Sequence, residues 1–374
     1  MKALRLIIPI AALCIAALIA GCRRPVDPAV TPTAEPDATA LPYETFEPVS
    51  TAEPDDGDVD AVFVSPQFEN AIRNKLGLYA DMPVKLRDLR NIRKLDLSGL
   101  GLTDIRDITM LENLEELALE DNRLGDASPL SALTKLRKLN LRSTGLSDIS
   151  ALAALTELRE LVIAYDPIDD LSPLSGLTRL EKLDFEDYSY PEHTPPTDDL
   201  SPLASLTELT ELTASARDTA PLAGMTKMKR LALSGSFTDL DGLRDMAQLR
   251  ELSLTGSGGP LDLSGIAGLT SLRSLSVKIF DTADISPLAG LTSLTRLDIA
   301  SMPITELSPL SGLTKLTDLF IWWTDISDLT PLYGLSKLTY CGLSYNDLPT
   351  DEVRRLREAL PNCIISVEEN DGIH

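Results

Sequence analysis

The chain has 374 residues, a formal charge of −23, 43% hydrophobic residues and only 5% aromatic ones. That acidity excludes docking on nucleic-acid phosphates or anionic lipid, which need a basic face, and favours solubility and attraction of basic partners. There are two histidines and four cysteines without a CxxC pair, and no P-loop, dinucleotide fingerprint, nucleophile elbow or HExxH motif, so neither catalysis nor a bound cofactor or metal is expected.

The N-terminus reads as an address. Lys2 and Arg5 precede an apolar run over residues 6–20, interrupted by Pro9. The run is shorter than the ~20 residues of a membrane span and suits the apolar region of a signal peptide. It ends Leu18-Ile19-Ala20-Gly21-Cys22, which resembles the bacterial lipoprotein signal. That resemblance implies removal of residues 1–21, a diacylglycerol on Cys22, and an extracytoplasmic protein held on the membrane by its lipid, at the cell surface or in the periplasm. Residues 22–60 carry seven prolines among Thr, Ala, Asp and Glu. Too few large apolar residues are present to form a core, so a disordered tether is expected. At ~3 Å per residue it reaches roughly 100 Å at most.

A helical cap follows over residues 61–93. Ser65-Pro66 supplies N-cap and first-turn residues, and Phe68, Ile72 and Leu76 form an apolar stripe. From Lys94 one phrase recurs: Leu95-Asp96-Leu97, Leu117-Ala118-Leu119, Leu139-Asn140-Leu141. Its first position is then filled by Leu161, Leu183, Leu212, Leu231, Leu252, Leu275, Leu297, Leu319, Cys341 and Cys363, mostly 22 residues apart. This is the leucine-rich-repeat pattern, LxxLxLxxNxL. In each LxL the leucines point one way and the middle residue the other. Stacked turns therefore predict an α/β solenoid: a right-handed leucine-rich-repeat superhelix over residues 94–349. It has a parallel concave sheet and a convex side that is mostly irregular or short-helical. Thirteen strands ~4.8 Å apart span roughly 55–60 Å. Residues 350–374 form the closing cap, an amphipathic helix over 351–360 and then a strand.

Residues 63–105, with Phe68-Glu69-Asn70-Ala71-Ile72-Arg73 ahead of the first LxL, resemble the capped leucine-rich domains of bacterial internalin-type surface proteins. The resemblance runs from the cap to the end of the chain. It implies a recognition domain that binds a protein through variable concave residues. The chain departs from that pattern in having no immunoglobulin-like domain after the repeats and a lipid rather than a C-terminal sorting signal. The asparagine position keeps Asn only at 122 and 346. Thr144, Asp166, Ser236, Ser257 and Thr324 are polar substitutes, whereas Leu100, Tyr188, Arg217, Phe280 and Met302 are not. An irregular middle between Leu183 and Leu275 is expected, with a projecting loop around His193 in the 187–199 insertion.

Most concave positions are small or polar. Phe320, Trp322 and Trp323 in one turn, with Tyr340 and Tyr345 in the next, break that rule, and Ile279, Phe280 and Met302 stand ready to extend the patch. Clustered exposed aromatics supply binding area at low entropic cost. Packing against the C-terminal cap or one another is the competing explanation. Glu120, Asp121, Asp166, Asp184, Glu186 and Asp187 form a second, acidic candidate, for a basic partner or Ca²⁺, or simply a solvated face. Cys341 and Cys363 occupy one slot of adjacent turns, either as a disulfide or as a reduced core pair. The expected function is binding of a protein, with a glycan binder or a structural envelope lipoprotein as alternatives. The expected state is a monomer.

Overall fold

The computed structural model describes residues 59–186, 197–256, 259–279 and 281–367. The signal segment, Cys22, the tether through residue 58, the loop expected around His193 at 187–196, Ser257 and Phe280 lie outside the described residues.

The repeated phrase becomes thirteen strands. They are β1 (Lys94–Asp96), β2 (Glu116–Ala118), β3 (Lys138–Asn140), β4 (Glu160–Val162) and β5 (Lys182–Asp184). A longer set follows: β6 (Glu211–Ala216), β7 (Arg230–Gly235), β8 (Glu251–Gly256), β9 (Ser274–Ile279), β10 (Arg296–Ala300) and β11 (Asp318–Trp322). The sheet closes with β12 (Tyr340–Gly342) and β13 (Ile364–Ser366). They form one sheet in chain order, and every pairing is parallel. The architecture is the right-handed leucine-rich-repeat solenoid that the spacing predicts. Leucine faces leucine from turn to turn, as in Leu95↔Leu117 and Leu297↔Leu319. In the turn over 307–319, Leu307, Leu310, Leu313, Leu316 and Leu319 are all at most 1% exposed. Each such leucine contributes about 1.5–3 kcal/mol on burial, too little in sum to order 22 residues alone, so each turn leans on its neighbours.

The convex side consists of short 3-10 helices, many opened by Ser-Pro. Pro suits the first turn, where its missing N–H is not needed. An aspartate two residues earlier accepts from the first backbone N–H: Ser128 to Asp126, Ser172 to Asp170 and Ser286 to Asp284, each at 2.8 Å. Along the strand starts the charges alternate. Lys94 reaches Glu116 at 2.8 Å, Lys138 reaches Glu160 at 3.0 Å, and Lys182 and Arg230 share Glu211 at 3.2 and 2.8 Å.

At the start, helix α1 (Pro66–Leu76) is capped by Ser65, whose Oγ accepts from Phe68 N at 3.2 Å. Gly77 ends it at φ 68°, a backbone region that glycine enters without strain. Phe68 and Ile72 are fully buried. Asp107, in the first convex turn, accepts from Val64 N and Ser65 N and so ties the cap to the repeats. The cap also takes in residues assigned to the tether, because Leu86 N donates to Val59 O and Lys85 pairs with Asp60. A four-residue helix, α2 (Leu86–Leu89), leads into β1.

At the far end, helix α3 (Thr350–Ala359) replaces a 3-10 turn, with Val353, Leu356 and Leu360 inward as expected. The longer helix shifts the register. Ile365, not Cys363, pairs with Cys341, and Tyr340↔Ile364 puts Cys363 level with Thr339. The shared slot expected for the two cysteines is therefore corrected, and both are free thiols. Burial, with a smaller contribution from Cys363, pushes the Cys341 thiol up to about 12.

Irregularity falls where expected but takes a specific form. The strands from β6 to β9 run six residues and continue past the usual turn. Gly242 and Gly265 sit against the carbonyls of Thr219 and Leu240 in the preceding turn, leaving no room for a Cβ.

Candidate functional site

The site begins with a backbone feature. In the regular turns the residue leaving the strand adopts a left-handed conformation: Gly99, Asp121, Ser143, Tyr165, Ser301, Trp323 and Tyr345, with φ between 52° and 67°. Non-glycine residues enter this region at a cost and persist where their surroundings enforce it. In two of these turns the next residue is an asparagine that ties the backbone down. Asn122 accepts from Leu102 N at 2.8 Å and donates to Leu97 O and Leu119 O at 2.9 and 2.7 Å. Asn346 accepts from Thr324 N at 2.9 Å and donates to Ile321 O and Leu343 O at 2.7 and 2.9 Å. The inward amide, buried at Asn122 and half-buried at Asn346, leaves its predecessor facing out.

That exit position carries Trp323 and Tyr345 in adjacent turns. Their rings stack at 4.7 Å and 12°, close to the spacing of neighbouring strands. Trp322 lies across Trp323 at 6.3 Å and 90°, and Phe320 across Trp322 at 5.8 Å and 88°. Tyr340 leans on Phe320 at 5.2 Å. The structure thus brings all five predicted aromatics into one continuous cluster, held mainly by its own edge-to-face and stacked contacts. Gly342 lies beneath, where a Cβ would come within 3.2–3.3 Å of Trp322, Tyr340 and Phe320. Trp323 is 42% exposed, and the other four are half-buried.

The neighbouring strands add polar groups. The Arg296 guanidinium stands 5.1 Å over the Phe320 ring, a cation–π contact. Asp298 Oδ2 takes Lys278 Nζ at 3.3 Å and Ser276 Oγ at 3.4 Å. Asp298 Oδ1 and Trp322 Nε1 have no hydrogen-bond partner. The cluster therefore presents flat apolar rings beside a fixed carboxylate and two cations.

The expected extensions of this patch do not form. Ile279 and Met302 are at most 2% exposed and belong to the core, because the longer middle strands and the turn after β10 bring them under the sheet. The acidic candidate also separates. Asp166 is 5% exposed, Glu120 accepts from Asn140 Nδ2 at 2.9 Å, and Asp187 lies outside the described residues. Burial raises the Asp184 carboxyl, with Arg142 opposing. Among the described residues no group of three or more His, Cys, Asp or Glu is placed to hold a metal.

The family pattern described as Leucine Rich repeats (2 copies) matches residues 134–176. An internalin from Listeria monocytogenes superposes with a TM-score of 0.71 at 32% identity, over 82% of this chain and 91% of that one. The chain belongs to the internalin-like leucine-rich-repeat family. Two more distant structures share the fold: a TDR receptor, and a chain of the Toll–Spatzle complex of Drosophila. The first has a TM-score of 0.52 at 18% identity over 78% of this chain and 56% of that one. The second has a TM-score of 0.56 at 18% identity over 76% and 42%. No curated protein matches.

In this internalin-like solenoid two contributors escape the sequence reading. Gly342 looks like a routine small residue, although it makes room for three rings. Thr282 fills an asparagine position unnoticed, its Oγ1 accepting from Leu261 N at 2.8 Å. Ser236, expected to substitute there, is exposed, and Phe237 beside it is buried instead.

Proposed function

We propose that this protein is an extracytoplasmic recognition lipoprotein, anchored through a lipid on Cys22, that binds a protein partner at the C-terminal end of its concave face. Phe320, Trp322, Trp323, Tyr340 and Tyr345 make the contact, and the protein acts by binding rather than by catalysis. The supporting observation is the stack of the exposed Trp323 on the half-buried Tyr345, continuous with three further rings, on a face otherwise built of small and polar side chains. Rigid rings held in place before contact lose little entropy on binding. Membership in an internalin-like family and the lipoprotein-type signal support display outside the cytoplasm.

The test uses Trp323→Ala with Tyr345→Ala in the otherwise unaltered lipoprotein. Cross-linking in intact cells, followed by mass spectrometry, should identify a protein partner with the parent and lose it with the double variant, at nearly the same melting temperature. Equal cross-linking by both proteins, or loss accompanied by unfolding, would remove the assignment. A glycan array run with the same pair makes a sugar ligand a separate, distinguishable outcome.

A further inference from the structure

The turn after β4 holds a carboxylic acid where two of its counterparts, those of Asn122 and Asn346, hold an amide. Asp166 occupies the position of Asn122 and Asn346 in the 22-residue register. Its Oδ1 behaves as the amide oxygen does, accepting from Thr144 N at 2.8 Å, Gly145 N at 2.6 Å and Thr144 Oγ1 at 3.2 Å. With Oδ1 in the role of the amide oxygen, the register assigns Oδ2 the role of the amide nitrogen in the other two turns. In those turns the nitrogen donates to the carbonyls 25 and 3 residues earlier. Counted back from Asp166, the corresponding carbonyls are Leu141 O and Ile163 O. Oδ2 is buried and has no hydrogen-bond partner. An ionised oxygen beside two carbonyl oxygens is repelled, whereas a protonated one becomes a donor.

We infer that Asp166 is a proton-dependent latch of the repeat ladder: a proton on Oδ2 supplies the hydrogen bond that asparagine supplies elsewhere, and its loss loosens the turn that presents Tyr165. Burial pushes this carboxyl up to about 6, against the opposing bonds from residues 144–146. Burial is the largest cause of that rise. The charged groups around the turn are Arg142, which lies over the Tyr165 ring at 4.5 Å and is influenced by Asp184 and Glu120, and Asp169 and Glu186, which flank it. Residues 187–196, which follow β5, are outside the described set.

The sign follows from proton binding. Between the ordinary carboxyl value of 3.8 and about 6 the folded protein holds a proton that the unfolded chain has released. Stability from this group is therefore full below that window and is lost as pH rises through it.

The experiment compares the full chain with Asp166→Asn by thermal melting from about pH 4 to about pH 8. An amide has two N–H groups and serves both carbonyls at every pH. The variant should melt higher throughout, with a lead that grows to about 2–5 °C across the window and then levels. Subtracting the two profiles cancels the titration of the other carboxylates. A lead independent of pH, or a variant less stable above the window, would overturn the latch. A ¹³C NMR titration of the Asp166 carboxyl in the unaltered chain gives a second reading: a midpoint near 6 supports it, and one near the ordinary value sinks it. Neither measurement involves a partner, so failure here leaves the proposed function standing, and the converse holds.

Discussion

Asn122 shows how much one side chain decides. It is 2% exposed and satisfies Leu102 N, Leu97 O and Leu119 O at once. Asn122→Leu preserves volume but leaves those three groups without partners in a dry interior, at roughly 1–3 kcal/mol each. We expect a loss of at least about 3 kcal/mol in denaturant titration. A loss below 1 kcal/mol, on the order of RT, would mean the amides are not structural. Spacing makes this position legible in the sequence. The left-handed residue ahead of it is not legible, because Asp121, Ser143, Tyr165, Ser301, Trp323 and Tyr345 have no side-chain chemistry in common. At Asp121 and Tyr345 the conformation accompanies a turn that the following asparagine ties down. The aromatic cluster was readable as composition for the same reason that its stacking was not: ring geometry depends on that backbone and on Gly342.

Among the elements, the convex turns put a part of the acidity to structural use. Bonds from the backbone N–H and then the hydroxyl of Ser128, Ser150 and Ser286 hold Asp126, Asp148 and Asp284 below the ordinary carboxyl value. For Asp170, Asp199 and Asp328 the hydroxyl contributes more than the N–H. Here the folded chain binds fewer protons than the unfolded one. The stability these residues supply is present above 3.8 and is lost as pH falls through their lowered values. Replacing Asp126, Asp148 and Asp170 together by Asn should flatten the fall in melting temperature between about pH 4 and pH 2. An unchanged slope would assign acid sensitivity elsewhere. The sequence offered these carboxylates as bulk charge. Their role as turn closers appears only when Asp-x-Ser is read together with the helix it opens. The caps were more transparent, since Ser65-Pro66 and the apolar stripes have one obvious use. The cysteine slot misled because the spacing of 22 holds only while successive turns have the same convex element, and α3 breaks that condition.

At the scale of the molecule, repetition made the architecture readable and is also its hazard. Every turn resembles its neighbours, so a folding chain can stack a turn on the wrong one and still bury leucines. The alternating row at the strand starts bears on this error. Lys94, Glu116, Lys138, Glu160, Lys182, Glu211, Arg230 and Glu251 attract their true neighbours. A mistake that skips one turn brings lysine to lysine and glutamate to glutamate along the whole row. Each such pair costs roughly 0.2–1 kcal/mol, small alone but cumulative. The double variant E116K/K138E keeps the net charge and makes the skipped pairing attractive at that end. We expect it to refold more slowly and with lower yield than the parent, and equal refolding of the two would dismiss the idea. Surface ion pairs that add little to the finished structure can thus act as a parity check, letting a nearly periodic chain count its own turns.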